Sequence, residues 1–403
     1  MSRTHRVAHS LSARRRVAVF VVFLATISWL AGAAAASSGT LLVTSDTTLT
    51  ENHRGPIVVA ADDVTLDCAG HTVSGPGFAG ILLDGRTGVT IRNCRVTNFT
   101  NGVLLLNSSG NTLIRNQAEQ NDESGFAVVL GSNDDHLSDN QALANGLIGF
   151  LLDGERNIAD GNWSGKNGDA GFVLGMNSTD SSLVGNTSNA NGNAGFRFDD
   201  AVGNAARNNK ANFNENTGFL LLNSAGNSLI GNSSRSNALN GFRLDFSDDN
   251  LLSDNTASKN GTFGFAFEGD RNIVVGNWAT GNSDAGFVLG IDAASNTLVD
   301  NEASANGHAG YRFDGAVGNT ARGNSATGNT ADGFILSGAT GNRLVSNTSL
   351  SNGTSGFAVV NGSSNNRINR NIGCGNGSFD AIDDATGVDN VWNNNRFCTS
   401  SGI

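Results

Sequence analysis

The sequence predicts an all-β solenoid in which about 15 coils of about 23 residues, each with three short strands, stack into one rod. Three observations lead to this fold class. A Gly followed by an aromatic residue recurs every 22 to 24 positions. Two columns of Asn recur with the same period. The segments between these columns are short and rich in Gly and Asn, which disfavours helices.

The Gly-aromatic pair marks one inward-facing slot of each coil. An apolar residue follows two positions after the aromatic residue, as expected for a strand with one buried face. In the earlier coils we expect Ile57, Ile81 and Val103 in this slot, and in the last coil Phe379. The aromatic residues of the slot are Phe126, Phe150, Phe172, Phe196, Phe219, Phe242, Phe265, Phe287, Tyr311, Phe334 and Phe357.

The two Asn columns indicate buried ladders. The first column runs from Asn93 to Asn395, and the second lies five residues later, from Asn98 to Asn376. A buried amide is costly alone, but amides stacked on successive coils hydrogen-bond to one another. An Asn-x-Leu step completes three extended runs per coil. Stacked coils then form three parallel sheets, with a rise of about 4.8 Å per coil and a rod of about 70 Å.

The first residues predict a secretory signal peptide. Residues 1–16 hold five Arg and no acid, residues 17–30 are apolar, and an Ala-rich stretch ends at Ala36. A basic segment, a short apolar segment and small residues at the cleavage site are typical of such a signal. We therefore expect the signal peptide at 1–36 and a single solenoid domain at 37–403, exported to the periplasm or the medium, with no membrane span after cleavage.

A longer repeat lies within the solenoid. Residues 141–232 align without gaps on residues 256–347, an offset of 115 residues or five coils, and about half the positions are identical. A catalytic site built once needs no duplication. The repeat therefore favours a scaffold or a surface with several equivalent binding positions.

Composition narrows the classes of partner. Cleavage after Ala36 would remove five Arg and no acid from a formal charge of −11, leaving −16. Such a surface disfavours nucleic acid and anionic membranes, although locally clustered basic residues could still bind an anionic polysaccharide. The oligomeric state is not indicated by the sequence.

The first coils and the repeat carry a family resemblance. The residues concerned are the stretch 63–73, which includes Asp67, Cys68 and Gly70, the stretch 89–94, and the Asn-x-Leu and Gly-Phe columns. The chain resembles right-handed parallel β-helix proteins of the pectin-lyase-like type, and more narrowly the NosD-type periplasmic β-helix proteins. The resemblance implies the fold. The resemblance to polysaccharide lyases of this type would also imply a Ca²⁺ ion and a uronic-acid sugar as ligands.

Four cysteines occupy corresponding positions in pairs of consecutive coils. Cys94 follows Cys68 by one coil in the stack, and Cys398 follows Cys374 in the same way. Stacked residues lie within the Cα separation that a disulfide tolerates, and an exported protein favours oxidation. We expect the disulfides Cys68–Cys94 and Cys374–Cys398, with free thiols or a metal site as the alternatives.

Outward positions of the Gly-Phe strands form a candidate ligand-binding face. An Arg follows the aromatic residue in three coils, and acids occupy the second outward column. Together they could hold Ca²⁺ and a uronic-acid sugar, although two carboxylates are few for this ion. Alternatively they are surface charges that neutralise one another. The residues of this face are Arg197, Asp199, Arg243, Asp245, Glu268, Arg312 and Asp314.

Trp163 and Trp278 occupy corresponding positions of the two repeated blocks and are expected to face outward. An exposed indole is a good platform for a sugar ring. The alternative is packing beneath a neighbouring turn. Five coils, about 24 Å, would separate the two side chains.

The function predicted from these patterns is a secreted β-helix repeat protein that acts as a carbohydrate- or surface-binding scaffold. One alternative is an extracellular lyase or epimerase of uronic-acid polymers, and another is a periplasmic accessory protein of the NosD kind. The chain lacks the Asp-Pro-His and Gly-His-Gly motifs of related epimerases and polygalacturonases, so the question of an enzyme stays open but leans towards none. No copper ligand set is evident, and no cofactor is expected apart from Ca²⁺.

Overall fold

Each coil contributes one strand to each of three parallel sheets, which we call sheets 1, 2 and 3. The computed structural model describes residues 39–403, and residues 40–403 form one compact unit. The predicted signal peptide at 1–36 lies outside the described residues. Along the chain, each coil passes through sheet 2, then sheet 3, then sheet 1. The predicted fold class of about 15 coils with three short strands each is confirmed.

Sheet 1 contains the Gly-aromatic strands. Its 17 strands are Leu41–Val43, Ile57–Val59, Ala79–Asp84, Asn101–Leu106, Ser124–Val129, Ile148–Leu152, Phe172–Leu174, Phe196–Asp199, Phe219–Leu222, Phe242–Asp245, Phe265–Glu268, Phe287–Leu289, Tyr311–Asp314, Phe334–Ser337, Phe357–Val360, Ala381–Asp383 and Ser400–Ser401.

Sheet 2 contains the Asn-x-Leu strands. Its 16 strands are Thr47–Thr48, Thr65–Asp67, Thr90–Arg92, Thr112–Ile114, His136–Ser138, Ile158–Asp160, Ser182–Val184, Ala205–Arg207, Ser228–Ile230, Leu251–Ser253, Ile273–Val275, Thr297–Val299, Thr320–Arg322, Arg343–Val345, Arg367–Asn369 and Val391–Asn393.

Sheet 3 follows the first Asn column. Its 16 strands are His53–Arg54, Thr72–Ser74, Arg95–Thr97, Gln117–Glu119, Gln141–Leu143, Trp163–Gly165, Thr187–Asn189, Lys210–Asn212, Ser233–Arg235, Thr256–Ser258, Trp278–Thr280, Glu302–Ser304, Ser325–Thr327, Thr348–Leu350, Ile372–Cys374 and Arg396–Phe397.

The inward slot of sheet 1 is filled by one continuous stack of rings. The rings from Phe126 to Phe357 are nearly parallel, and the centroids of successive rings are 4.5 to 4.9 Å apart. This separation matches the spacing of parallel strands, so the coil rise sets the stacking distance. Ile57, Ile81 and Val103 continue the slot towards the first coils, as predicted.

The prediction of Phe379 in this slot is wrong. Ala381 is the strand partner of Phe357, and Phe379 is 38% exposed. The space beside Phe357 is taken by the ring of Phe397, whose centroid lies 5.6 Å away. The ring that covers the end of the stack therefore comes from the last strand of sheet 3, Arg396–Phe397.

Glycine precedes the aromatic residue because the corner between sheets 3 and 1 has no room for a Cβ atom. A Cβ on Gly241 would lie 2.5 Å from the carbonyl oxygen of Gly264 and 2.7 Å from the Cβ of Ala257. It would also lie 2.9 Å from Nδ2 of Asn260. Close approach of the next coil, and not an unusual backbone angle, therefore explains the recurring glycine.

Three Asn ladders line the three corners on the inside of the solenoid. In each ladder the amide nitrogen donates to the amide oxygen one coil further on, as from Asn232 to Asn255 at 3.0 Å. The same nitrogen donates to the backbone of the preceding coil, at Ala206, at 2.9 Å. The third ladder contains the Asn of the Asn-x-Leu step, for example Asn227 and Asn250 at 3.1 Å. Buried backbone groups at the corners are satisfied in this way.

The predicted start of two ladders is wrong by one residue. Cys94 and Phe99, not Asn93 and Asn98, precede Asn116 and Asn121 in the stack, because their backbone nitrogens donate to those amide oxygens. Asn98 is instead an exposed corner residue with a φ of 62°. The coil before Asn116 has 22 residues, one fewer than the mean of about 23. Counting back by the mean period therefore places the start of each column one residue too early.

Both predicted disulfides are present. Cys68–Cys94 and Cys374–Cys398 join consecutive coils, with Cα separations of 4.7 and 5.1 Å. Cys68 and Cys94 occupy the inner corner that Asn116 and its successors fill further along. No helix within residues 39–403 has the length and apolar character needed to span a membrane.

Candidate functional site

The residues predicted to bind ligand lie on two different faces. Arg197, Arg243 and Arg312 are on sheet 1 with their neighbouring acids, whereas Trp163 and Trp278 are on sheet 3. The structure therefore does not bring the candidate residues together into one site.

On sheet 1, Arg197 is held between two carboxylates. Its Nε atom lies 2.8 Å from Asp199, and its Nη1 atom lies 2.6 Å from Asp169 of the preceding coil. The side chains of Arg197 and Asp199 are only 16% and 12% exposed. Burial lowers the pKa of Arg197, but attraction to Asp199 and Asp169 more than offsets it, so the pKa is raised and the charge is kept. Burial also raises the pKa of Asp199.

The same arrangement recurs five coils further on. Arg312 contacts Asp314 at 2.6 Å and Asp284 at 3.6 Å, and its guanidinium lies 5.3 Å from the ring centroid of Phe263. The ring of Phe263 packs on the buried cluster of Ala285, Val288 and Ala309, and so covers part of the apolar outward face of sheet 1. This part of the apolar face is therefore covered by a residue of the same chain and needs no partner or ligand to cover it.

Arg243 is the third cation of this face. It contacts Asp245 at 2.7 Å and approaches Glu268 at 3.9 Å. Asp245 and Glu268 are strand neighbours, as predicted. All three arginines of sheet 1 thus have two carboxylate partners, and the acids outnumber them. This face is already neutralised from within and has little affinity left for an anionic sugar.

Sheet 3 carries a different kind of surface. A Cβ added to Gly165 would lie only 2.6 to 3.1 Å from three ring atoms of Trp163, so the indole of Trp163 lies flat over its own strand at a position that only glycine allows. Its other ring face points outward, since the residue is half-buried. Thr280 stands where Gly165 does in the repeat, and Trp278 is accordingly 44% exposed.

Small polar residues fill six of the eight outward positions on the four strands between the two tryptophans. They are Thr187, Asn189, Asn212, Ser233, Thr256 and Ser258. The amide of Asn212 donates to that of Asn189 at 3.1 Å, which orients both side chains along the axis. Two indoles and a row of hydroxyls and amides on a flat sheet are suited to sugar rings and their hydroxyl groups.

Sequence patterns did not identify the charged residues of sheet 3. Lys210 and Arg235 project outward from adjacent strands, and Lys166 and Lys259 lie at the corner that follows the sheet. All four are exposed. The positions of the lysines could have indicated this surface, because every lysine of the described chain lies on this sheet or at its edge.

These features define a right-handed parallel β-helix protein, and two family models agree. The model of the right-handed β-helix region matches residues 32–188. The model described as periplasmic copper-binding protein (NosD) matches residues 144–270 and 260–401. Because the second model covers more than half of the chain, the chain belongs to the NosD family. The periplasmic family and the two disulfides together indicate an exported protein.

Comparison with solved structures gives matches at low identity. A double mutant of the periplasmic alginate epimerase AlgG is 13% identical, with a TM-score of 0.40 over 84% of this chain and 77% of that one. The A-module of the mannuronan C-5 epimerase AlgE6 of Azotobacter vinelandii is 13% identical, with a TM-score of 0.49 over 91% and 90%. A PL6 alginate lyase in complex with a trisaccharide is 11% identical, with a TM-score of 0.45 over 73% and 80%. No curated protein matches the chain.

The family description implies copper, but the described residues do not fit a copper site. Within residues 39–403, one group of three potential ligands lies close enough together, namely Cys374, Asp380 and Cys398. The two sulfurs form a disulfide, so neither is a thiolate ligand. The oxygens of Asp380 accept hydrogen bonds from Asn376 and Thr399 at 2.7 and 2.9 Å. This group therefore closes the last coil.

Proposed function

We propose that this protein is an exported scaffold without catalytic activity that binds carbohydrate along one face of its solenoid. The observation that carries the proposal is the pair formed by Trp163 and Trp278. They lie on the same face of sheet 3, five coils or about 24 Å apart, and one of them lies flat with a ring face outward.

The architecture supports this role. A solenoid presents one side chain at the same outward position in every coil, so the surface between the indoles is long, flat and repetitive. Its backbone is hydrogen-bonded on both sides in every coil, so little ordering is needed on binding. A linear polymer can therefore contact several coils at once.

The test is binding of the full-length exported protein to a panel of neutral and acidic polysaccharides by affinity electrophoresis, followed by calorimetry with oligosaccharides. We expect binding that weakens at least about tenfold in the Trp163→Ala, Trp278→Ala double variant. Phe246→Ala removes another exposed aromatic residue at a different corner and serves as the matched control. Binding that is equally reduced in this control, or no binding to any glycan, would refute the proposal.

A lyase or epimerase of uronic-acid polymers is the catalytic alternative. It would use the Arg and Asp residues of sheet 1, but their mutual ion pairs leave no cation there without a carboxylate partner. Incubation with uronic-acid polysaccharides, with and without Ca²⁺, should give no unsaturated or epimerised products. Turnover that is lost in Arg243→Ala or Asp245→Ala would establish the enzyme instead of the scaffold.

Family membership favours a second candidate, an accessory protein that handles copper in the periplasm. Titration of the purified protein with Cu⁺ and Cu²⁺ distinguishes it from the scaffold. We expect no stoichiometric binding by residues 39–403, because their potential ligands are dispersed or oxidised. Tight binding of one equivalent would favour the accessory role.

A further inference from the structure

We propose that the face of sheet 3 between Trp163 and Trp278 binds an anionic polysaccharide that lies along the solenoid axis. This inference rests on the carbohydrate-binding function proposed above and adds the location of the site and the charge of the ligand. It moves the anionic ligand away from sheet 1, where the sequence had suggested it.

The cations at sheet 3 differ from the arginines of sheet 1 in their ion pairs. Among residues 39–403, Lys166, Lys210, Arg235 and Lys259 take part in no ion pair and no side-chain hydrogen bond, in contrast to the paired arginines of sheet 1. Acids are abundant in a chain with a formal charge of −11. Four exposed cations without partners in such a chain form a local positive surface.

The strands that carry these cations differ from those of sheet 1 in their acids. No outward position of the six strands from Trp163–Gly165 to Trp278–Thr280 is an Asp or Glu. Acids that border this face include Asp254, at the corner with sheet 2, Glu215, between sheets 3 and 1, and Glu302, on the strand after Trp278. The side chain of Asp254 accepts a hydrogen bond from Ser253. The positive charge of the face is therefore not cancelled in place.

The rise of the solenoid per coil is similar to the length of one sugar unit. Corresponding side chains on successive coils are about 4.8 Å apart. This spacing is close to the length of one pyranose unit, so a polysaccharide aligned with the axis can meet one coil with each sugar. Lys210 and Arg235 occupy adjacent coils and both outward columns, since Lys210 pairs with Ser233 and Asn212 with Arg235. They can contact acidic groups of successive sugars.

The aromatic residues bound this surface. Trp163 and Trp278 stand at its two ends, and Phe213, 63% exposed, lies at the corner next to Lys210 and Asn212. Aromatic stacking also suits single-stranded nucleic acid. Export and the row of hydroxyl and amide groups favour a glycan, and nucleic acid is included in the test.

A second group of exposed cations provides a control. Arg322, Arg343, Arg367 and Arg370 lie on or beside sheet 2, and Arg343 and Arg367 are strand neighbours. None of them has an ion pair within residues 39–403, and no outward aromatic residue lies on the three strands that carry them. Substitution there changes net charge equally but leaves sheet 3 intact.

The experiment compares the full-length protein with two double variants, Lys210→Ala with Arg235→Ala and Arg343→Ala with Arg367→Ala. The probes are polygalacturonate, alginate, a neutral glucan and single-stranded DNA, measured by affinity electrophoresis and calorimetry. We expect tighter binding of the uronate polymers than of the glucan, and a loss of affinity as NaCl rises from about 0.05 to about 0.5 M. The affinity for the uronate polymers should fall at least about tenfold in the sheet 3 variant and less than about twofold in the sheet 2 variant.

Each outcome is decisive. Equal losses in both variants would show attraction to net charge alone and overturn the site. DNA bound as tightly as uronate, with the same dependence on Lys210 and Arg235, would overturn the glycan as ligand. Tryptophan-dependent binding of the neutral glucan alone would refute this inference and keep the scaffold function, whereas no glycan binding would refute both. Unchanged melting temperatures exclude misfolding as the cause.

Discussion

Asp135 takes the place of an asparagine in the ladder between sheets 1 and 2. Its Oδ1 atom accepts hydrogen bonds from the backbone nitrogen and the amide of Asn111, at 2.8 and 2.9 Å. Its Oδ2 atom is buried and has no hydrogen-bond partner in the described part of the chain, at the position where the Asn members of the ladder have a donating NH₂ group. Only the protonated carboxyl can donate there. Burial raises the pKa of Asp135 to about 7, the donors from Asn111 oppose the shift, and the charge of Asp134 adds to it.

This carboxyl makes stability depend on pH. Its pKa in the folded protein, about 7, exceeds the ordinary 3.8, so the folded state binds the proton more tightly. Its contribution is favourable at low pH and is lost as pH rises from about 4 to about 7. We expect Asp135→Asn to complete the ladder and to raise stability at pH 8 by on the order of 2–4 kcal/mol, with little change at pH 4.

Melting temperatures of both proteins between pH 4 and pH 8 measure this effect. Asp249→Asn is the control, because Asp249 is the corresponding exposed carboxylate five coils further on, paired with Arg271 and followed in the ladder by Asn250 instead of an acid. A difference between Asp135→Asn and the parent protein that is constant with pH would show that Asp135 is not protonated in the fold.

Tyr311 is a second irregular residue of the interior. It is the one tyrosine in a stack otherwise made of phenylalanines, 4.9 Å from Phe287 and 4.5 Å from Phe334 between ring centroids. Its hydroxyl is buried and has no hydrogen-bond partner within residues 39–403, and burial raises its pKa well above the usual value. The hydroxyl therefore carries a desolvation cost without a compensating bond.

Tyr311→Phe should stabilise the protein by about 1–2 kcal/mol, because it removes the hydroxyl and keeps the ring. Chemical denaturation of the variant and the parent protein provides the measurement. A loss of stability would show that the hydroxyl is bonded to a buried water molecule.

At the scale of the element, the Gly-Phe strand holds successive coils in register. Phe242 is fully buried between Phe219 and Phe265, with ring centroids 4.7 Å away on both sides. Truncation breaks two stacking contacts and opens a cavity that the hydrogen-bonded coils cannot collapse to fill. We expect Phe242→Ala to cost about 3–5 kcal/mol.

Chemical denaturation also measures this loss. Phe246→Ala is the control, because Phe246 lies four residues on in the same coil but is 37% exposed, and its loss should be below about 1 kcal/mol. Equal losses in the two variants would contradict a stabilising role for the ring stack.

Sheets 1 and 3 are chemically different elements despite a common period. On sheet 1 each arginine reaches carboxylates of its own coil and of a neighbouring coil, so charges cancel locally. On the sheet 3 strands from Trp163 to Trp278 the outward positions hold mainly hydroxyls, amides, indoles and cations. The two sheets therefore differ in contacts between coils, such as the ion pair of Arg197 with Asp169, 28 positions earlier in the sequence.

For the whole molecule, the disulfides protect the regions where a solenoid is weakest. Coils near an end have fewer stacked neighbours, and Cys68–Cys94 and Cys374–Cys398 join consecutive coils in those regions. Each bridge closes a loop of about 25 residues and contributes roughly 3 kcal/mol.

Replacement of Cys374 and Cys398 by Ser should lower the melting temperature and make the last coils susceptible to proteolysis before the central ones. Limited proteolysis followed by mass spectrometry locates the first cuts. The matched pair, Cys68→Ser with Cys94→Ser, should instead expose the first coils. Cleavage that begins in the central coils of both variants would contradict the protective role of the bridges.

Much of the interior could be predicted from the sequence. The ring slot, the bulk of the Asn ladders and both cysteine pairs follow from residue type and period, because each coil must place its inward side chains against those of its neighbours. The predictions failed for Phe379, Asn93 and Asn98, where coil length departs from the mean and counting loses the register. The longer repeat at 141–232 and 256–347 stays a prediction.

The sequence by itself determined that this protein is a stack of parallel coils with an aromatic and amide interior, since the backbone hydrogen bonds of a solenoid repeat with the chain. Only the tertiary structure decided what the outer surface can do. It showed that the arginines of sheet 1 are already paired, that Trp163 lies flat on Gly165, and that Lys210 and Arg235 have no ion pair with any residue of 39–403. Outward side chains meet across coils through rotamers and distances that no period specifies.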